Sequence, residues 1–88
     1  MLDQKFSTRF KKDLKKYEHK KDVIKEFNEV LKILLLEVEL PTKYRDHDLV
    51  GGFIEYRECH IKSDVLLVYK VNKDVRYLHR IGSHSELF

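Results

Sequence analysis

The run VLLVY, Val65–Tyr69, carries no charge in a chain of which 38% is Asp, Glu, Lys or Arg. Five consecutive apolar residues are far too few for a membrane helix and suit a buried strand. In a chain this charged, such a run reads as the most buried strand. The residues just before it are of the opposite kind. RECHIKSD, Arg57–Asp64, sets Arg57, Glu58, Cys59, His60 and Asp64 against the start of that strand.

The chain has 88 residues, enough for one domain, 1–88, with one modest core. Its net charge is only +3, but Lys11, Lys12, Lys15, Lys16, Lys20, Lys21 and Lys25 crowd the first third. A basic helical face attracts polyanions or an acidic protein, and equally makes an ordinary solvated surface. The single Cys59 rules out an internal disulfide and a Cys-rich zinc site. Neither VLLVY nor Ile33–Leu36 approaches the roughly 20 apolar residues of a membrane helix. MLDQKFSTRF lacks the apolar core of a signal peptide, so a cytoplasmic protein with no membrane contact is expected.

Leu2, Gln4 and Phe6 alternate with polar neighbours, as in a short first strand. Ser7 offers an N-cap hydroxyl, and Phe10, Leu14 and Tyr17 follow at helical spacing, to an end near Glu18–Lys21. A second helix is expected from Asp22, read as its cap. Val23, Phe27, Val30 and Leu34 form one apolar row and Ile24, Leu31 and Leu35 its neighbour, a stripe wide enough to lie on a sheet. Pro41 marks its end. Leu40–Gly52 reads as a surface loop closed by the Gly51–Gly52 turn. Three strands follow, Phe53–Ile61, Asp64–Val71 and Val75–Ile81, with VNKDV as a hairpin turn and GSHSELF as a tail. The fold class is α+β: an N-terminal strand, then two helices packed on one face of a small antiparallel sheet, in the order β-α-α-β-β-β.

Side chains alternate along a strand. Tyr56, Glu58 and His60 therefore share one face, opposite Arg57, Cys59 and Ile61. With the helices over the Val65/Leu67 face, Asp64 falls on the uncovered face, where a hairpin would bring it close to His60. A His beside a carboxylate is a proton-transfer element or a plain surface ion pair. Two more histidines lie in loops, where reactive groups concentrate: His47 in RDHDL and His84 in GSHSELF. His19 reads as solvated and His79 as a packing or surface residue. Cys59 and His60, adjacent on a strand, point to opposite faces and make a poor nucleophile–base pair; Cys59 reads as a small buried hydrophobe. His47, His60, Asp64 and His84 lack the compact spacing of a metal motif. No Walker loop, dinucleotide fingerprint or G-x-S-x-G calls for a cofactor, and none is expected.

DHDLVGG, YRECHIKSDVLLVYK and RIGSHSELF, in this order and with these gaps, resemble the YafQ branch of the RelE/ParE toxin superfamily. The resemblance spans Tyr44–Phe88; the helical half agrees in length and pattern. It implies a RelE-like fold and an endoribonuclease toxin that cleaves mRNA, usually in the ribosome. It also implies a neighbouring antitoxin protein, and operator DNA bound only through the antitoxin complex. Carried over by position, it gives His47, Glu58, His60, Asp64, His84 and Phe88 as site residues. Ser63 stands where relatives often carry Pro, and Asp48, where Pro often follows the loop His, adds a negative charge beside His47.

The chemistry is sensible on its own terms. Metal-free RNA cleavage needs a base for the ribose 2′-OH, an acid for the departing 5′ oxygen and a cation for the phosphorane. His84 is expected as acid and His47 or Asp64 as base. His60, with Glu58, orients or stabilises, Arg80 or a protonated His meets the phosphate, and Phe88 offers a stacking ring. The rival readings are a ParE-like toxin that acts on gyrase by binding and a metal-dependent nuclease.

Overall fold

A computed structural model describes residues 3–49 and 55–88. Leu2, the Gly51–Gly52 turn and the Phe53 end of its strand lie outside the described residues. The elements run β1 (Asp3–Phe6), α1 (Thr8–Lys15), α2 (Lys21–Leu35), a 3-10 turn (Thr42–Tyr44), β2 (His47–Asp48), β3 (Tyr56–Lys62), β4 (Val65–Val71), β5 (Val75–Gly82) and α3 (His84–Leu87). The strands form one sheet in the order β1-β5-β4-β3-β2. VLLVY lies at its centre, and Leu67, Val68 and Tyr69 are 0–2% exposed.

The helices pack on one face. Val23, Phe27, Val30 and Leu34 of α2 join Phe10, Cys59, Ile61, Leu67, Tyr69, Leu78 and Ile81 in the core, and Ile24 and Leu31 flank it. Ser7 caps α1 through the Phe10 amide, 2.8 Å away, a bond that typically contributes about 1 kcal/mol. Its hydroxyl also donates to the His79 carbonyl at 2.7 Å. Farther along the same edge of β5, the Ile81 amide donates to Asp13. The end of β5 beyond its pairing with β1 is thus closed by α1.

Several expectations change. β1 pairs with β5 in parallel, so the sheet is mixed rather than antiparallel; the helical crossover returns the chain in the direction it began. α1 stops at Lys15 and continues only as turns. Asp22 is not the cap of α2: Lys20 holds that place without a side-chain bond, and Asp22 lies in the first turn. α2 ends at Leu35, well before Pro41, and Glu37 takes a positive φ. The Leu40–Gly52 loop contains β2, which pairs with β3, and the tail contains α3.

Candidate active site

The predicted alternation along β3 holds. Cys59 and Ile61 face the helices, while Tyr56, Glu58 and His60 face away. That second face is far from bare. Leu66 and Val68 lie outside the main core cluster yet are 3% and 2% exposed, an apolar floor beneath polar side chains. The cross-strand register sets out the groups on it. His47, Glu58, Val68 and Arg80 form one row over four strands, and His60, Leu66 and Gly82 the next.

Glu58 is the centre of the arrangement. Its side chain is 8% exposed, and Oε1 lies 3.5 Å from Nε2 of His47 and 3.6 Å from Nε2 of His60. The two rings tilt by 42° with centroids 6.4 Å apart. His47 has a defined tautomer on its other side. Nδ1 lies 2.8 Å from the Arg45 carbonyl, which only accepts, so Nδ1 carries the proton. Nε2 is then the atom that takes or releases a proton, and it faces Glu58.

The loop that carries His47 is clamped. Arg57 donates to Asp46 at 2.6 Å and to Asp48, the two carboxylates that flank the histidine. Tyr69 donates to Asp46 and accepts from Arg57 Nε. The bond to Asp46 holds the Arg57 guanidinium above its usual range, and burial followed by Asp46 does the same for the Tyr69 phenol. The carboxylate of Asp48 is thus paired with Arg57. Sequence reading missed this clamp, although a signal existed. An Arg in phase with Cys59 and Ile61 points toward the core, and a cation there requires carboxylate partners.

Asp64 does not meet His60. It is exposed, in the turn between Lys62 and Val65. The register shifts between His60 and Lys62, and this bulge at Ile61 breaks the alternation that would have aligned the two. Among the described residues the carboxylate at His60 is Glu58. Arg80 is also differently engaged. Its Nε and Nη2 bind the two oxygens of Asp13 at 2.6 and 3.2 Å, so it presents a partly neutralised charge.

His84 opens α3, with its ring 5.2 Å from that of Phe88. α3 is fixed by a capping box of Ser83 and Glu86 and tied to α1 by Tyr17, which donates to Glu86 at 3.2 Å. Hydrogen bonds from the Ser83 backbone, then from its side chain, bring the Glu86 carboxyl down to about 2. Gly82 permits the close packing: a Cβ there would lie 3.3 Å from both Glu86 Oε1 and Leu87 Cδ2. Among the described residues no hydrogen bond, ion pair or ring contact joins His84 to His47 or His60. It begins where the His60–Leu66–Gly82 row ends, two strands or about 10 Å from His60.

Beside His60 a cleft of about 320 Å³ opens, lined by Lys43, Arg45, Lys62 and Glu26 among others. Among the described residues no group of three or more His, Cys, Asp or Glu side chains is set to hold a metal ion. No helix among them is long and apolar enough to cross a membrane. Cys59 is fully buried, and burial pushes its thiol well above its usual range. It is no nucleophile.

Residues 2–88 match the family described as bacterial toxin of type II toxin-antitoxin system, YafQ. The chain belongs to the YafQ toxin family. It is 29% identical over 87 residues to the mRNA interferase toxin YafQ of Escherichia coli K12, covering 98% of this chain and 95% of that protein. A metal-bound toxin from Helicobacter pylori is 44% identical, with a TM-score of 0.91 and full coverage of both chains. The YafQ chain of the E. coli DinJ–YafQ complex is 28% identical, with a TM-score of 0.90 over 100% of this chain and 99% of that one. The RelE-like α+β fold is shared across the family's YafQ structures and this chain.

Proposed function

We propose that this YafQ-family chain is an endoribonuclease toxin that cuts mRNA and so stops translation. The observation that carries the reading is the buried Glu58 carboxylate held between the imidazoles of His47 and His60, in a chain related to an mRNA interferase. His47 Nε2 takes the proton of the ribose 2′-OH. The 2′ oxygen bonds to phosphorus as the bond from phosphorus to the 5′ oxygen breaks, and His84 gives that oxygen its proton. The products are a 2′,3′-cyclic phosphate and a 5′-hydroxyl. We prefer His47 to Asp64 as base because its tautomer leaves Nε2 poised, whereas Asp64 sits in an exposed turn. His60 and Glu58 orient and balance charge at the phosphate. Arg80, tethered by Asp13, and the cations of the cleft beside His60 draw the RNA backbone in, and Phe88 supports His84 or a base.

The partner is an antitoxin protein, by analogy with the E. coli complex. Its acidic segment covers the lysine-rich helices or the site, and operator DNA is reached only through that complex. The message is met in the cytoplasm, on the ribosome. No observation favours a ParE-like action on gyrase.

The test is His84→Ala and His47→Ala, assayed on RNA with and without translating ribosomes, with the cut ends mapped. Each should lose about 10²–10⁴-fold in cleavage rate, the usual worth of a positioned acid or base. Undiminished cleavage by either variant removes that residue from its role. Cleavage abolished by EDTA and restored by zinc would replace the metal-free scheme.

A further inference from the structure

Next to the His47–Glu58–Val68–Arg80 row, the register of four strands sets Lys5, Tyr77, Lys70 and Tyr56 side by side on the same face. Cation and aromatic alternate across the whole row. A bulge in β5, where the register shifts between Val68 and Tyr69, inserts His79 between the two phenols. Its ring lies 4.8 Å from that of Tyr56 and 6.1 Å from that of Tyr77, tilted by 34° and 32°. Lys70 Nζ stands 5.9 Å from the centre of the Tyr56 ring and 3.1 Å from Glu55. His79 Nδ1 is buried without a hydrogen-bond partner among the described residues, so packing and not bonding holds this ring.

We propose that this row is a subsite for the bases of single-stranded RNA, flanking the cleavage site. The inference rests on the nuclease reading and adds a place for the substrate. Aromatic faces interleaved with cations are what a single strand needs: rings for its unstacked bases and charge for its phosphates. The position suits it. Tyr56 is two residues from Glu58 on the same face, about 7 Å away, within reach of the nucleotide next to the scissile phosphate. At the other end of β3 the Lys43, Arg45 and Lys62 cleft adjoins His60. The RNA therefore crosses the site with its bases on the tyrosine row at one side and its backbone among the cations of the cleft at the other. Cross-strand Lys–Tyr pairs also stabilise sheets without any ligand, and the experiment separates the two roles.

The probe is a fluorescein-labelled 2′-O-methyl RNA heptamer, which lacks the nucleophile and stays intact, alongside the same heptamer made fully abasic. Binding is read by anisotropy for wild type, Tyr77→Leu and Tyr77→Phe, each first shown to be folded by its thermal midpoint. Tyr77→Leu should weaken binding of the base-bearing heptamer about tenfold, the usual loss for one stacked base. Tyr77→Phe, which keeps the ring, should stay within about twofold. The abasic heptamer should bind wild type and Tyr77→Leu alike. Equal binding of the base-bearing heptamer by wild type and Tyr77→Leu overturns the subsite, and so does an equal loss on both heptamers. A Tyr77→Leu protein that binds RNA normally but escapes its antitoxin assigns the row to the protein partner and also overturns it. If wild type binds as expected but cuts no RNA, the nuclease reading fails and the subsite stands.

Discussion

Strand β3 carries two chemistries one residue out of phase. Cys59 and Ile61, 0% and 3% exposed, meet hydrocarbon from the helices; Glu58, 6% exposed, meets two imidazoles. Burial alone does not distinguish them. A buried apolar side chain is held by whatever fills the space around it, whereas a buried carboxylate is tolerated only where particular partners match its charge. The covered face can therefore be repacked without loss of identity, and the other face cannot.

The comparison can be broken at three points. Leu67→Ala, under the helices, should cost about 2–5 kcal/mol of stability by leaving a cavity. Urea denaturation reads that loss, and RNA cleavage per folded molecule should stay near wild type. A large fall in specific activity would show that the two faces are coupled. Arg57→Leu reaches across them. The guanidinium is partly exposed, so the stability loss should be only about 1–2 kcal/mol. Cleavage should fall further than stability does, because the segment that carries His47 loses its clamp. NMR of the His47 imidazole should show exchange broadening; a sharp, unchanged resonance would mean that Arg45 alone positions the ring.

The smallest effect concerns His79. Burial, then Arg80, lowers its pKa from the ordinary 6.5, with Asp13 opposing. The folded state thus holds the ring neutral where the unfolded chain takes up a proton. This contribution is complete above about pH 6.5 and is lost as pH falls toward the folded-state value. His79→Phe should flatten the decline in thermal midpoint between about pH 7.5 and pH 5. An unchanged slope would place the acid sensitivity elsewhere.

Much of this was legible in the sequence. The uncharged run marks the most buried strand, the alternation of Glu58 and His60 against Cys59 and Ile61 marks the second face, and the apolar rows of α2 mark its buried side. The failures share a cause. Asp64 was misplaced because a bulge shifts the phase without any mark such as Gly or Pro. The pairing of Arg80 with Asp13 is not legible because that partner, from α1, lies 67 positions away in sequence. The parallel pairing of β1 and the two-residue β2 are likewise set by tertiary contacts and not by local pattern.

The pairing of β1 with β5 also bears on how the molecule comes into being. Ser7 and His79 are bonded across 72 residues of chain, and among the described residues β1 pairs with β5 alone. During vectorial synthesis β1 and α1 emerge early and wait, since the strand they must join is translated among the last. The sheet closes, and the imidazole-bearing segments come to rest around it, only once β5 is free to dock. A nascent chain held at an earlier codon has made His47, Glu58 and His60 but cannot complete the sheet that supports them.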